Sequence, residues 1–247
     1  RSRDEAVAYT FVVEALYADA DVRRAAKEEL LVSALTAAKG DCAMAWASVS
    51  TYPFAWEDVT VAHREDALAR AIGCSDALPQ HWYELGHIRC GDGINSAAAA
   101  SFDAAACFRN AVRLDYSFGD AYFALACVMD PTAQVDILGD GKRLLTECDL
   151  LALAIAHGCT AVADAWYGLM HSLGPRVVTI NGDEVDVVVA CSHVIEQGGE
   201  RAAQAWSLLL GCMKRYDNAR FDKALKGGAG KTLSRVDCVA KMLERGG

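Results

Sequence analysis

One short pattern recurs along this chain and limits what the chain can fold into: an aromatic residue followed three positions later by a branched aliphatic one. The intervals between successive aromatic residues are 36, 40, 44 and 40. Residues i and i+3 lie on the same face of a helix, so both side chains of a copy enter one apolar seam. The copies are Trp46/Val49, Trp82/Leu85, Tyr122/Leu125, Trp166/Leu169 and Trp206/Leu209.

A second helical run follows each copy after a loop. These runs are His63–Gly73, Ser101–Asp115, Lys142–Gly158, Val185–Gly199 and Lys231–Gly246. Two further runs, Asp4–Ala18 and Val22–Lys39, come before the first tryptophan and form one more pair. A single helical hairpin cannot bury its apolar face, whereas stacked hairpins share a continuous core. The sequence therefore predicts about six stacked helical hairpins.

The second copy contains a more specific motif. It reads Trp82-Tyr-Glu-Leu85-Gly86, then Ala104-x3-Phe108-x2-Ala111, then Leu114-Asp115. This motif resembles the signature of the tetratricopeptide repeat (TPR), and Sel1-like repeats, with longer and variable periods, are a second match. Two positions depart from the signature, because Arg89 stands where tyrosine is usual and Tyr116 where a proline closes the repeat.

The resemblance covers residues 43–247, strongly in one copy and loosely in the others. It implies an all-α, right-handed α-α superhelical solenoid that forms a single domain over residues 1–247. The repeats are expected at about residues 1–42, 43–79, 80–119, 120–163, 164–203 and 204–247.

The length in excess of a 34-residue repeat falls between the two helices of each hairpin. The inserts are Tyr52–Ala62, Gly91–Ala100, Pro131–Gly141, Pro175–Asp186 and Tyr216–Gly230. In the fourth, β-branched residues flank Asn181-Gly182, and Asn-Gly between such residues is the strongest short hairpin signal. A weaker form of this hairpin signal lies at Val135–Asp140. We expect short β-hairpin-like inserts along one edge of the solenoid, where they form a second candidate contact surface.

The charge of the chain bears on its partners. Lys and Arg total 24 against 33 Asp and Glu, a formal net charge of −9. A nucleic acid would meet repulsion over most of this surface, so nucleic acid is not the expected partner. An acidic surface instead favours a protein segment of basic character. An RNA-binding helical repeat, or a structural spacer or dimerisation segment of a larger protein, is the alternative function.

Cysteine usage and hydropathy indicate the compartment. The ten cysteines include no CxxC pair, and most stand where alanine would serve. We expect small buried thiols in a reducing, intracellular and cytoplasmic setting, with a secreted disulfide-linked repeat protein as the alternative. The apolar stretch from Leu150 to Pro175 is interrupted by histidines and glycines, so no membrane span is expected.

Motifs for catalysis or metal binding are not apparent. The chain has neither GxSxG nor HExxH, and its histidines and cysteines lack zinc-site spacing. Leu225-Lys-Gly-Gly-Ala-Gly230-Lys-Thr232 resembles a phosphate-binding loop, but its leading glycine is missing and too few residues follow for a βαβ unit. The sequence predicts no enzyme, no catalytic residue, no metal and no cofactor.

What remains is the surface formed by the first helix of each repeat. In TPR-like proteins these helices line the concave face, so residues one and five positions after each repeat aromatic would point into a groove. In the three central repeats these are Tyr83, His87, Phe123, Cys127, Tyr167 and His171, and Lys214 and Arg215 lie near the C-terminal end. The rings either pack between adjacent helices as core or anchor a partner. We expect a protein-interaction scaffold that binds an extended or helical partner segment.

Overall fold

A computed structural model shows a mostly helical protein and describes residues 10–11, 24–51, 61–92, 103–139, 141 and 144–213. Within these residues it contains ten helices and four short strands, which confirms the predicted all-α class. The chain divides between Tyr116 and Ser117 into two compact units. The solenoid, the single domain and the number of repeats stay predictions.

The described part of the first unit contains five helices, each packed against the next along the chain. They are α1 (Arg24–Ala37), α2 (Ala43–Thr51), α3 (Val61–Ile72), α4 (Pro79–Asp92) and α5 (Ala104–Leu114). Proline is well suited to the first position of α4, where its missing N–H would have no helical partner. α5 begins after Asp103, whose carboxylate accepts a hydrogen bond from the Ala106 N–H at 2.6 Å.

The second unit repeats this sequential packing in its described residues. Its helices are α6 (Gly119–Val128), α7 (Glu147–Ala156), α8 (Val162–Ser172), α9 (Val187–Gln197) and α10 (Glu200–Met213). A capping box fixes the start of α7, where Asp149 accepts a hydrogen bond from the Thr146 N–H at 2.9 Å. Asp186 caps α9 by accepting from the Val188 and Val189 N–H groups at 2.9 and 3.0 Å.

Two antiparallel hairpins stand between helices of the second unit. Strand β1 (Val135–Asp136) pairs with β2 (Leu144–Leu145), and β3 (Val178–Ile180) pairs with β4 (Asp183–Val185). Asn181 and Gly182 join β3 to β4 with φ of 53° and 93°, the left-handed conformation of a tight hairpin turn. The hairpin predicted in the insert from Pro175 to Asp186 is therefore confirmed.

Two predicted helix starts were wrong. Lys142–Gly158 was expected to be helical, but Leu144–Leu145 pairs with β1 and α7 begins only at Glu147, after its capping threonine. Val185, the expected first residue of another helical run, lies in β4 because the capping aspartate comes after it. Predicted segments that lie wholly or mostly outside the described residues are Asp4–Ala18, Tyr52–Ala62, Gly91–Ala100, Tyr216–Gly230, Leu225–Thr232 and Lys231–Gly246.

The recurring aromatic–aliphatic pairs lie on alternate helices, α2, α4, α6, α8 and α10. Their rings are buried in the second unit and half-buried at Trp46 and Trp82 in the first. The aliphatic partners are fully buried from the second copy onward: Leu85, Leu125, Leu169 and Leu209. Each of these pairs therefore contributes to the core from one helix, as the three-residue spacing predicts.

Helices α4 and α5 pack closely at Gly86. A Cβ atom there would lie 2.5 Å from a ring carbon of Phe108, which is itself buried. Any larger side chain would have to push the ring away. The glycine and the phenylalanine of the TPR-like motif thus meet directly.

Hydrogen bonds also link the starts of neighbouring first helices. Asp41, just before α2, accepts from the Ser75 N–H at 2.7 Å, 34 residues further along. In the second unit Asp120 accepts from the Thr160 N–H and hydroxyl at 2.6 and 2.8 Å, 40 residues further along. An aspartate therefore connects consecutive copies in both units, at a separation close to the sequence period.

Two expectations from the sequence, on membrane spans and on cysteines, can be compared with the described residues. No helix among the described residues has the length and apolarity needed to cross a bilayer. The described cysteines form no disulfides, and five of the nine are buried: Cys42, Cys107, Cys148, Cys159 and Cys191. The expectation of small buried thiols is confirmed for these five.

Candidate interaction surface

The predicted groove residues occupy the same relative positions on α4, α6 and α8. Those one position after the repeat aromatic, Tyr83, Phe123 and Tyr167, are half-buried. Those five positions after it are exposed: His87, Cys127 and His171. A residue pair of this spacing lies on one helix face, so each helix presents a partly covered ring beside an exposed side chain.

On α4 the pair packs as an edge-to-face contact that reaches the next helix. The rings of Tyr83 and His87 have centroids 4.5 Å apart at an interplanar angle of 77°. Both also lie near Phe108 of α5, at 5.8 and 5.3 Å. The buried Phe108 thus supports the two surface rings from below and limits their rotation.

On α8 the equivalent pair has nearly the same geometry. Tyr167 and His171 have centroids 4.8 Å apart at 76°. The Tyr167 hydroxyl donates a hydrogen bond to Gln204 Oε1 on α10. The guanidinium carbon of Arg201 lies 4.8 Å from the Tyr167 ring centre, and Arg201 also pairs with Asp164 of α8. This ring is therefore held in place by the following first helix.

The predicted groove residues belong to two different units. Tyr83 and His87 belong to the first unit, and the Phe123 and Tyr167 pairs belong to the second. Lys214 and Arg215 lie outside the described residues. A single continuous row of rings therefore stays a prediction, and each unit presents its own part of the surface.

Two further ring contacts were missing from the sequence interpretation. Trp166 stacks on His193 of α9 with centroids 4.0 Å apart, and Tyr122 stacks on His157 at the end of α7 at 5.7 Å. Each joins a repeat aromatic to the second helix of its own hairpin. The partners are 27 and 35 residues apart because the inserts differ in length, so no fixed spacing in the sequence reveals them.

Polar side chains are buried in the first unit. Glu65 of α3 is fully buried, and its Oε1 lies 2.8 Å from Nε of Arg89 on α4, whose side chain is 6% exposed. The Nη2 atom of Arg89 has no hydrogen-bond partner among the described residues. The departure from the TPR signature at Arg89 is thus compensated by an acid on the preceding helix.

Two other titratable groups of α4 are shifted by their surroundings. Burial raises the pKa of Glu84, which the nearby Arg64 partly offsets, and Glu84 Oε2 accepts no hydrogen bond from the described residues. Burial lowers the pKa of His81, whose Nδ1 accepts a hydrogen bond from the Leu78 N–H at 3.1 Å. In both groups burial therefore disfavours the charged form relative to the unfolded chain.

Among the described residues, one group of side chains has ligand atoms close enough for a metal ion: Asp41, Cys74 and Asp76. Each carboxylate already accepts a backbone N–H group, Asp41 from Ser75 and Asp76 from Ala43. Burial and the nearby carboxylate of Asp41 raise the pKa of Cys74 to about 11, so the thiol stays protonated at neutral pH. Because both carboxylates accept backbone N–H groups of the neighbouring copy, the cluster forms a junction between the starts of α2 and α4.

Comparison of the chain with protein-family models, with curated proteins and with solved structures gives no match. The TPR-like resemblance accordingly stays a prediction.

Proposed function

We propose that this chain is a non-enzymatic protein-interaction scaffold. Its TPR-like or Sel1-like helical hairpins form a right-handed solenoid, and the exposed faces of its first helices bind an extended or helical segment of a partner. The partner surface comprises Tyr83, His87, Phe123, Cys127, Tyr167 and His171. No cofactor takes part.

The repetition of one ring pair supports this proposal. Tyr83/His87 and Tyr167/His171 are two repeats apart, yet their centroid distances differ by only 0.3 Å and their interplanar angles by 1°. In both pairs the tyrosine is half-buried and the histidine exposed. A ring fixed by its neighbours loses little conformational entropy on binding, which is why tyrosines are common anchors in protein interfaces.

Their partial burial is the second support. The repeat aromatics of the second unit, such as Trp206, are instead covered almost completely. Tyr83, Phe123 and Tyr167 are only half-buried, and each lies beside an exposed side chain. A partner side chain laid across Tyr83 or Phe123, or along the part of Tyr167 that Arg201 leaves uncovered, would gain apolar contact without any rearrangement of the helices.

The test is site-specific photo-crosslinking from these positions in the native cell. A photoreactive phenylalanine analogue replaces Tyr83 or Tyr167, and in the control it replaces Tyr116, which is 50% exposed and lies outside the proposed surface. A synthetic peptide of any captured protein is then titrated into the purified wild-type protein and its Tyr83→Ala and Tyr167→Ala variants.

We expect the same protein from positions 83 and 167 but not from 116, and affinity for its peptide at least about tenfold weaker in the alanine variants. Circular dichroism confirms that the variants are folded. Capture of RNA-binding complexes sensitive to ribonuclease would favour the RNA alternative. Capture of this chain alone would favour the dimerisation alternative, and equal peptide affinities would overturn the assignment of the surface.

A further inference from the structure

The fourth copy contains an arginine bound within the protein itself. Asp164 and Tyr167 are three residues apart on α8 and so share one face. Arg201 of α10 pairs with the carboxylate of Asp164 and lies over the ring of Tyr167, 4.8 Å from its centre. Arg201 and Asp164 are still 49% and 46% exposed, so this arginine site lies at the surface.

The third copy has the same two recognition groups without the arginine. Asp120 and Phe123 lie on α6, two positions before and one position after the repeat aromatic. Asp164 and Tyr167 have the same positions relative to the repeat aromatic of the fourth copy. Arg201 lies five positions before the repeat aromatic Trp206. The residue five positions before the preceding repeat aromatic, Trp166, is Ala161. An alanine supplies no charge, so the carboxylate and ring of the third copy have no cation from the equivalent position.

The carboxylate of Asp120 is positioned for such a role. Its Oδ1 accepts both hydrogen bonds from Thr160, which fixes the carboxylate at the start of α6. Its Oδ2 accepts no hydrogen bond from the residues that the structure describes. Phe123, one turn further along the same face, is half-buried and keeps part of its ring at the surface.

Residues 117–213 have an acidic charge balance, which favours a cation near them. Residues 117–213 contain twelve Asp or Glu and four Lys or Arg. Of the four, Arg201 is paired with Asp164, and Arg176 donates to the Thr146 hydroxyl at 3.4 Å. A guanidinium is planar, less strongly hydrated than an ammonium and able to stack on a ring while it pairs with a carboxylate, so it suits this pair of groups best.

We propose that Asp120 and Phe123 bind an arginine side chain of the partner, in the way that Asp164 and Tyr167 bind Arg201. This inference rests on the proposed function and specifies the partner as a segment containing arginine. In the fourth copy the chain's own arginine fills the site. The third copy is therefore the point at which a partner arginine is recognised.

The test is a titration with N-acetyl-arginine amide, followed by NMR shifts of the Phe123 ring and the Asp120 amide. N-acetyl-citrulline amide, which has nearly the same shape without the charge, is the control ligand. We expect saturable shifts with the arginine compound at the third copy and none with the citrulline compound. Nonspecific attraction of the arginine compound to acidic side chains would instead shift many amides without saturation. That result would overturn the proposal.

Four variants separate the contributions. Phe123→Leu keeps an apolar side chain but loses the aromatic face, and Asp120→Asn keeps an oxygen for Thr160 but loses the charge. Each should weaken binding at least about threefold to tenfold. Ala161→Arg should fill the site from within and abolish binding. Arg201→Ala should open the fourth copy and add a second set of shifts at Tyr167.

Unchanged affinity in Phe123→Leu and Asp120→Asn, both verified as folded by circular dichroism, would overturn the inference. If a partner protein were still captured from positions 83 and 167, that result would leave the proposed function standing. Arginine binding without any captured partner would have the opposite meaning, because it would contradict the scaffold function while supporting the site.

Discussion

Arg89 and Glu65 form a buried ion pair between α4 and α3, with Nε of the arginine 2.8 Å from Oε1 of the glutamate. The pair explains how the second copy tolerates an arginine where the TPR signature has a tyrosine. A buried guanidinium is costly unless it is paired, and the fully buried carboxylate of Glu65 pairs with it. The two residues therefore have to be replaced together.

The first prediction follows from this dependence. Arg89→Leu should destabilise the protein by about 3–5 kcal/mol, because it leaves the carboxylate of Glu65 buried without its partner. The double variant Glu65→Leu/Arg89→Leu should recover most of that loss, since it buries no unpaired charge. Urea unfolding followed by circular dichroism measures both, and Arg113→Leu, at an exposed position of α5, is the control for losing an arginine.

A double variant as unstable as the single one would contradict this explanation. It would mean that the pair contributes more than mutual compensation, for example by fixing the approach of α3 to α4. If the losses of stability in Arg89→Leu and in Glu65→Leu alone added up to the loss in the double variant, this would also argue against coupling. Residues in contact normally depart from such additivity.

The second prediction concerns Glu84, whose pKa burial raises above the ordinary value of 4.5. A group with a raised pKa in the folded state stabilises the protein fully below its unfolded pKa, and that contribution is lost as pH rises through the folded pKa. Glu84→Gln, which cannot ionise, should therefore gain stability relative to wild type between pH 4 and pH 7. The difference in Tm between the variant and wild type should therefore grow in favour of the variant as pH rises across that range.

Thermal unfolding at several pH values checks this prediction. Glu29→Gln on α1, at an exposed position, is the matched control and should show no such trend. If Glu84→Gln instead lost stability relative to wild type as pH rose, the attraction between Glu84 and Arg64 would outweigh the cost of burial. The pKa of Glu84 would then be lowered by folding rather than raised.

The third prediction tests the close approach at Gly86. Gly86→Ala should cost about 1–3 kcal/mol, because the new Cβ would start 2.5 Å from the Phe108 ring. Gly211→Ala on α10 meets no atom within 4 Å and should instead be neutral or stabilising by up to about 1 kcal/mol, through helix propensity. Chemical denaturation of the two variants compares an identical substitution in a crowded and an open position.

How much of this molecule the sequence could predict depends on how local the determining contacts are. The helices that contain Trp82 or Trp166, and the turn at Asn181–Gly182, follow from spacing and turn chemistry over a few residues. The pairing of Glu65 with Arg89 joins residues 24 apart, and no short pattern indicates it. Contacts of this kind depend on how the helices pack, which one sequence does not reveal.

The same distinction holds for the candidate surface. The positions of Tyr167 and His171 on one helix face could be predicted because they are four residues apart. Arg201 could not be assigned to that site, because it comes from the following repeat, 37 residues from Asp164. The division into two compact units after Tyr116 has no counterpart in the sequence pattern, since the helical periodicity continues on both sides of it.

The fourth prediction tests the hairpin turn. Gly182 has φ of 93°, and a Cβ added there meets no atom within 4 Å, so the cost of a side chain is backbone strain alone. Gly182→Val should therefore destabilise the β3–β4 hairpin by about 1–2 kcal/mol without disturbing the helices. Amide hydrogen exchange should become faster at Val178–Ile180 and Asp183–Val185, while the circular-dichroism signal at 222 nm is unchanged.

Thr179→Val is the control, because it adds the same type of side chain at an exposed position of β3 where valine is favourable. It should leave exchange in the hairpin slower or unchanged. A large loss of signal at 222 nm in Gly182→Val would contradict the prediction, since it would mean that α8 and α9 need the intact turn to stay helical. Because β3 packs on α7 and β4 on α9, exchange at these two helices shows how far the strain of the turn extends.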